Sequence, residues 1–382
     1  MAIPKKGLED VVIGESAITL VAGATGGLTY RGFDIGELAG AARFEAVVHL
    51  LLEGEPPEEP LPSALTLDLA RRRRLPSTVE RIADLLPSDL PPLEALRTLL
   101  SALGDGTRGY PPTRAQGLDL IAVTPTALAR FVRRSVGGGP VEPRDDLAHV
   151  ANYLWMLTGE EPAPEKVDAL EQYFVLLADH GMNASTFALR IVISTQSDLF
   201  SAATAALGAL KGPAHGGAPA KVSEMLDSVG EPSRAEGWIR SALDRKERLF
   251  GFGHRAYKAE DPRAVLLHRI ARDLAPRARL ELAEAIERTA LEELHRRKPD
   301  QRLYTNVEFY SAVVLESVGL ARELFTPTFA VARTAGWAAH ALEQAGDNRL
   351  IRPDIHYTGP APGRRWPAAA RYGPAPPAAR AA

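Results

Sequence analysis

The stretch VDALEQYFVLLADHG, Val167 to Gly181, decides the class of fold. Val167, Leu170, Phe174 and Leu177 fall at i, i+3, i+7 and i+10, the spacing that puts apolar side chains on one face of an α-helix. Glycine follows, the usual residue just past a helix end because it lacks the Cβ that clashes in a left-handed turn. The pattern returns in FEAVVHLLLEG (Phe44 to Gly54), LEALRTLLSALG (Leu93 to Gly104) and LAHVANYLWMLTG (Leu147 to Gly159). RARLELAEAIERTALEELHRR (Arg277 to Arg297) reads as a long amphipathic helix with a charged outer face. Strand-like alternation is confined to Val11 to Val21, where a small hairpin is expected. The expected class is all-α.

At 382 residues the chain has room for two domains, or a large domain with a smaller lobe. A hydrophobic fraction of 45% beside 24% charged residues is that of a globular protein. The net charge of -3 lacks the basic excess of nucleic-acid binders, so no nucleic-acid partner is expected. There is no cysteine, which removes disulfides, thiolate nucleophiles and Cys-held metals and fits a reducing compartment. The opening MAIPKKGLEDVVIG carries lysines but no apolar run behind them, unlike a signal peptide. The weakly polar run from Phe200 to Leu210 is far short of the roughly 20 residues that span a bilayer. The reading is a cytoplasmic protein with no membrane partner. Loops are expected at Gly104–Thr113, at Gly137–Pro140 and beyond Pro360, with the terminal GPAPPAARAA disordered. The run Arg71–Arg74 reads as a solvated helix face.

Four islands interrupt this helical sequence: ADHGMNASTFALR (Ala178 to Arg190), KGPAHGG (Lys211 to Gly217), GFGHRAYKAEDPR (Gly251 to Arg263) and NVEFYS (Asn306 to Ser311). Neutral imidazoles with a carboxylate are the parts needed to take a proton from carbon and steady the resulting oxygen charge. GFGHRA formally matches a dinucleotide fingerprint, but the charged ALDRKERLF before it is no buried strand, so that reading fails. Its glycines instead let the backbone approach a bulky ligand and carry His254 into a cleft. His215, between Pro213 and two glycines, sits in a turn or helix end. His180 closes a helix at Asp179-His180-Gly181. Glu308 lies among apolar and aromatic neighbours, which favours a raised pKa; Asn306 and Glu308 also suit a helix start. Arg263, Arg333 and Arg352 stand near proline or glycine, and arginine forks match small carboxylates. No metal-ligand spacing accompanies the histidines, so no metal is expected.

These strings, with YRGFDIGELA (Tyr30 to Ala39), FTPTFAVARTAGWAAHALEQ (Phe325 to Gln344) and RLIRP (Arg349 to Pro353), resemble the citrate synthase family over nearly the full length. The resemblance implies a citrate synthase fold. Residues 1–217 and 312–382 would form a large helical domain, the latter with a C-terminal arm, and 218–311 a smaller mobile one, with the active site in the cleft between. It implies condensation of acetyl-CoA with oxaloacetate and water to citrate and CoA, with no cofactor. By matching position, His215 would hold the thioester carbonyl, Glu308 remove the α-proton and His254 donate to the keto oxygen. His180, Arg263 and Arg333 would bind oxaloacetate, with Arg352 reaching the site of the other subunit in a homodimer. Arg248, Leu249, Phe250, Gly251 and Phe252 would receive CoA, with Arg255 and Lys258 near its phosphates and Arg31 a weaker candidate. The chain lacks the long N-terminal extension of NADH-regulated hexameric members, so a dimer insensitive to NADH is expected.

Three departures from the family pattern stand out. The base position is usually Asp and is Glu308 here, Pro219 replaces the frequent Asn after HGGA, and PPL (Pro91 to Leu93) replaces HPM, the last expected to be structural. Two alternatives therefore stay open at this stage: a 2-methylcitrate synthase using propionyl-CoA, and an acyl-CoA-binding paralogue with little catalysis.

Overall fold

The structure is a computed structural model and describes residues 6–8, 11–58, 64–104, 106 and 109–364. Among these residues are sixteen α-helices and one three-stranded antiparallel sheet, as the all-α expectation requires. The chain divides into two units, Glu15–Ile351 and the paired terminal stretches Met1–Gly14 and Arg352–Ala382. The tail expected to be disordered, Gly373 to Ala382, lies outside the described residues. No described helix is long and apolar enough to cross a membrane.

Helix ends follow the glycine signals in part. The helix Phe44–Glu53 stops at Gly54 (φ 95°) and His149–Thr158 at Gly159 (φ 76°). The helix Pro92–Ala102 begins with Pro92 at its first turn, so PPL is a helix start where a missing N–H costs nothing. The helix Pro164–Leu177 ends earlier than the sequence predicts, leaving Asp179-His180-Gly181 outside it. The reason is Tyr30. Its buried hydroxyl lies 3.1, 3.2 and 2.9 Å from the carbonyls of Val175, Leu176 and Asp179, and it accepts from the Asp179 amide at 3.2 Å. Those carbonyls at the helix end thus find their partner on a strand 145 or more residues away.

The sheet also begins later than predicted. Thr19–Ala22 pairs with Gly27–Tyr30, which pairs with Phe33–Asp34. Val11 to Ile13 are exposed and outside any strand, Val12 by 89%. Alternation makes a strand only where a second segment offers its backbone groups, and here that register opens at Thr19↔Tyr30.

The Arg71–Arg74 run is a third correction. The helix Ala64–Arg71 ends there, so the next residues leave its outer face. Arg72 pairs with Asp68 at 2.7 Å and Asp119 at 2.8 Å. Arg73 is 1% exposed and donates to the Arg144 carbonyl at 2.5 Å. Burial pushes its guanidinium down, partly offset by Glu45.

At the centre lies Phe325–Gly346, buried along most of its length and packed on Arg114–Ser135 and Ala184–Ser194. Its Trp337 is wholly buried. Each such large apolar side chain contributes roughly 1.5–3 kcal/mol on burial.

Candidate active site

Within Glu15–Ile351 three histidines, two arginines and one glutamate come together from segments far apart in sequence. The ring centroids of His180 and His254 are 5.3 Å apart in an edge-on arrangement, and Tyr257 stands 5.5 and 4.8 Å from them. His180 Nε2 meets the Tyr257 hydroxyl at 3.1 Å. Burial first, then the charges of Arg263, His254, Arg333 and His215, hold His180 well below its ordinary pKa. It is therefore neutral at pH 7.

His254 is held by its own loop. Its Nδ1 accepts from the amides of Ala256 at 2.9 Å and Tyr257 at 3.2 Å. An amide only donates, so Nδ1 carries no proton and the neutral ring keeps its hydrogen on Nε2. Burial, then Arg263, lowers His254 to about 4.

His215 mirrors this arrangement with the nitrogens exchanged. It lies in the turn after Leu199–Leu210, as the glycine-rich string predicts. Its Nε2 accepts from the Ser185 amide at 3.3 Å, a hydrogen shared with Asn183 Oδ1, and meets Ser185 Oγ at 2.9 Å; an Nε2 that accepts is the tautomer with Nδ1–H as donor. Ser185 is fixed because Asn183 caps the helix Ala184–Ser194, accepting from the amides of Ser185 and Thr186. Burial, then Arg333, takes His215 to about 4. Pro219 falls in the first turn of Ala218–Val229, where an amide has no intrahelical partner, so proline is locally compatible.

Glu308 occupies the first turn of Val307–Val318, and Asn306 is the cap whose side chain accepts from the Glu308 amide. The Glu308 carboxyl also faces its own backbone amide. Burial pushes it up to about 7, against the opposing pull of Arg263. The two segments bearing Glu308 and His254 share a seam of main chain. Gly253 N donates to Tyr304 O at 2.7 Å, Asn306 N to Gly251 O at 2.9 Å, and Asn306 Nδ2 to Gly253 O at 2.8 Å. Gly251 has φ 87°, and a Cβ there would sit 2.7 Å from the Phe309 ring. At Gly251 the main chain comes close to Phe309, which itself requires glycine there.

The arginines differ. Arg263, 2% exposed, gives its Nε and Nη2 to Asp261 at 3.0 and 2.8 Å, so Nη1 is the nitrogen left over. Asp261 also caps Pro262–Leu274 and accepts from the Val307 amide at 3.2 Å. Arg333, 1% exposed, donates through Nε to the Leu177 carbonyl at 2.7 Å and lies 4.7 Å over the Phe329 ring. Its Nη2 is buried with no hydrogen-bond partner among the described residues.

Arg352 belongs to the other unit, exposed and 3.4 Å from Asp354. In the Arg248–Phe252 stretch, Leu249 and Phe252 are buried while Arg248 lies 5.4 Å over Phe250. Arg255 and Lys258 are exposed, and Arg31 donates to the Leu51 carbonyl at 2.8 Å. Sequence reasoning gave no role to Tyr257, Ser185 or Asp261, although all three sit inside the quoted strings. It also missed Asp179, whose Oδ2 accepts from Gly181 N at 2.8 Å and meets His340 Nε2 at 3.2 Å. Arg190 Nη2 lies 2.7 Å from the other nitrogen of His340. Burial raises Asp179, but His340 and Arg333 overcome this and hold it at about 2. No local pattern announces a pairing across 161 residues.

The family described as "Citrate synthase, C-terminal domain" matches residues 7–354. The chain is 40% identical over 365 residues to "Citrate synthase 2" of Bacillus subtilis, covering 93% of this chain and 96% of that one. It is 37% identical over 358 residues to the 2-methylcitrate synthase of Mycobacterium tuberculosis, covering 93% and 90%. A solved citrate synthase from Thermoplasma acidophilum, in ternary complex with carboxymethyl coenzyme A and oxaloacetate, superposes with a TM-score of 0.87 at 30% identity, covering 96% of this chain and 99% of that one. With the family matched from residue 7 to 354 and relatives this similar along most of their length, the chain belongs to the citrate synthase family.

Proposed function

We propose that this chain condenses acetyl-CoA with oxaloacetate and water, giving citrate and CoA. The observation that carries the reading is that His215 and His254 are each held through the opposite ring nitrogen, Nε2 in one and Nδ1 in the other, with the buried Glu308 carboxyl raised towards 7 beside Arg263. A thioester α-proton is too weakly acidic for a carboxylate in water, so the carbonyl oxygen must be stabilised as the proton leaves. Glu308 takes the proton while His215 Nδ1–H donates to that oxygen, giving the enol or enolate. The enol carbon attacks the keto carbon of oxaloacetate as His254 Nε2–H donates to the keto oxygen. Water then cleaves the citryl-CoA thioester, releasing CoA.

Oxaloacetate is held by His180, by the unpartnered Nη2 of Arg333 and by the remaining edge of Arg263, with Arg352 added from the second subunit of a homodimer. CoA lies along Arg248–Phe252 with Arg255 and Lys258 at its phosphates. Residues 218–311 act as the smaller domain, closing to exclude water before the thioester is hydrolysed. The chemistry uses no cofactor beyond the thioester. The cysteine-free composition supports a cytoplasmic setting.

The test is CoA-thiol release with oxaloacetate, acetyl-CoA and propionyl-CoA side by side. Acetyl-CoA is expected to be preferred by about 10- to 200-fold, the range one methylene provides. Equal or faster turnover of propionyl-CoA favours the 2-methylcitrate reading, and no thiol release favours the binding paralogue. Glu308→Asp is expected to lower kcat about a hundredfold, because the backbone is set for the longer side chain and a retraction of about 1 Å costs that much. Because the base acts ionised and sits near 7, kcat/KM should fall about tenfold per pH unit below 7. A profile flat down to pH 5.5 would exclude Glu308 as the base.

A further inference from the structure

We propose that Glu287 is a positioning residue that holds the Glu308 base and, through the same segment, the His254 donor. The proposal rests on the reading of Glu308 given above. Glu287 projects from Arg277–Arg297 and accepts two hydrogen bonds, one on each oxygen. Thr305 Oγ1 donates to Oε1 at 2.5 Å and the Tyr310 hydroxyl to Oε2 at 2.5 Å. Thr305 stands three residues before Glu308 and Tyr310 two residues after it. One carboxylate therefore pins both the segment entering the helix Val307–Val318 and that helix's first turn, with the base between its two anchors.

Both anchors are themselves buried, Thr305 at 8% exposure and Tyr310 at 1%. The Tyr310 ring is also stacked on His268 at 4.3 Å, and His268 meets Glu284, one turn before Glu287, at 2.8 Å. Thr305 bridges Phe252 in the seam that leads to Gly253 and His254. On the other side, Phe309 stands edge-on to Tyr310 at 5.1 Å and packs on Phe252 at 5.1 Å. Two routes, one of main chain and one of rings, thus run from Glu287 towards His254. The first turn of a helix is where the chain frays most readily. A base whose carboxyl sits at the end of a long side chain needs that turn held.

The experiment measures kcat, KM for oxaloacetate and the pH profile of Glu287→Ala, Thr305→Val and Tyr310→Phe, each at equal folded concentration by circular dichroism. Expected for Glu287→Ala is a kcat loss of about 10- to 100-fold, the scale of a base misplaced by up to 1 Å, with KM for oxaloacetate within about threefold. Its acid limb should move from the wild-type position, because the burial of Glu308 changes with its placement. Glu287→Gln, which keeps one acceptor oxygen, should recover part of the lost kcat. If Glu287→Ala fails to fold, Thr305→Val and Tyr310→Phe carry the test, each expected to lower kcat with KM nearly kept. A lower melting temperature with kcat and pH limb unchanged would overturn the proposal and leave Glu287 a structural residue. Glu308→Gln is run alongside: if that variant keeps full activity, the reading of the base fails instead.

Discussion

Glu308→Gln should lower kcat by about 10²- to 10⁴-fold, the contribution typical of a positioned general base. Glutamine keeps the length and shape of glutamate, and Asn306 Oδ1 still receives the backbone amide of residue 308. What is lost is the capacity to accept a proton. KM for oxaloacetate should change little, since the groups proposed to hold it are His180, Arg263 and Arg333. The acid limb near 7 should vanish with the carboxyl that produces it. Steady-state CoA-thiol release across pH 5.5 to 9 reads all three quantities, and a kcat within threefold of wild type would remove Glu308 from the mechanism.

Gly336→Ala should destabilise the protein by about 1–3 kcal/mol or more, the usual cost of overpacking. Intrinsic helix preference argues the other way, favouring alanine by about 1 kcal/mol inside a helix. Sterics should prevail because an added Cβ would lie 2.4 Å from Asp179 Oδ1 and 2.5 Å from the Ala178 carbonyl. A carbonyl of the main chain has no rotamer to escape into, and Gly336 N already donates to it at 3.0 Å. The helix must move away. Arg333, one turn earlier on that helix, moves with it, so KM for oxaloacetate should rise together with the loss of stability. Urea unfolding followed by circular dichroism gives the midpoint; one equal to or above that of wild type would refute the steric argument.

The sequence made legible whatever is local. Apolar spacing marked the helices, and glycine marked the ends at Gly54 and Gly159. The Asn306 cap and the burial of Glu308 could both be read from NVEFYS, because a cap and its amide are two residues apart. The histidines were picked out by the odd strings around them. Illegible were features that depend on a distant partner. The helix after Val167 was drawn too long because Tyr30 takes up its final carbonyls. That Asp261 occupies one edge of the Arg263 fork is not marked by the proline and glycine near it in sequence. Arg73 was read as solvated because nothing beside it in the sequence reveals the Arg144 carbonyl it reaches.

The seam between Gly251–Gly253 and Tyr304–Asn306 has a consequence for how this site drifts over generations. Three of its links join backbone groups or reach one from Asn306, so most side chains along it change without loosening the connection. Heritable variation is thereby partitioned. Positions such as Tyr304 are buffered, while Asn306 and the glycine facing Phe309 are not. A lineage can therefore exchange one acidic side chain for a longer one at the base position and still inherit the frame that aims it.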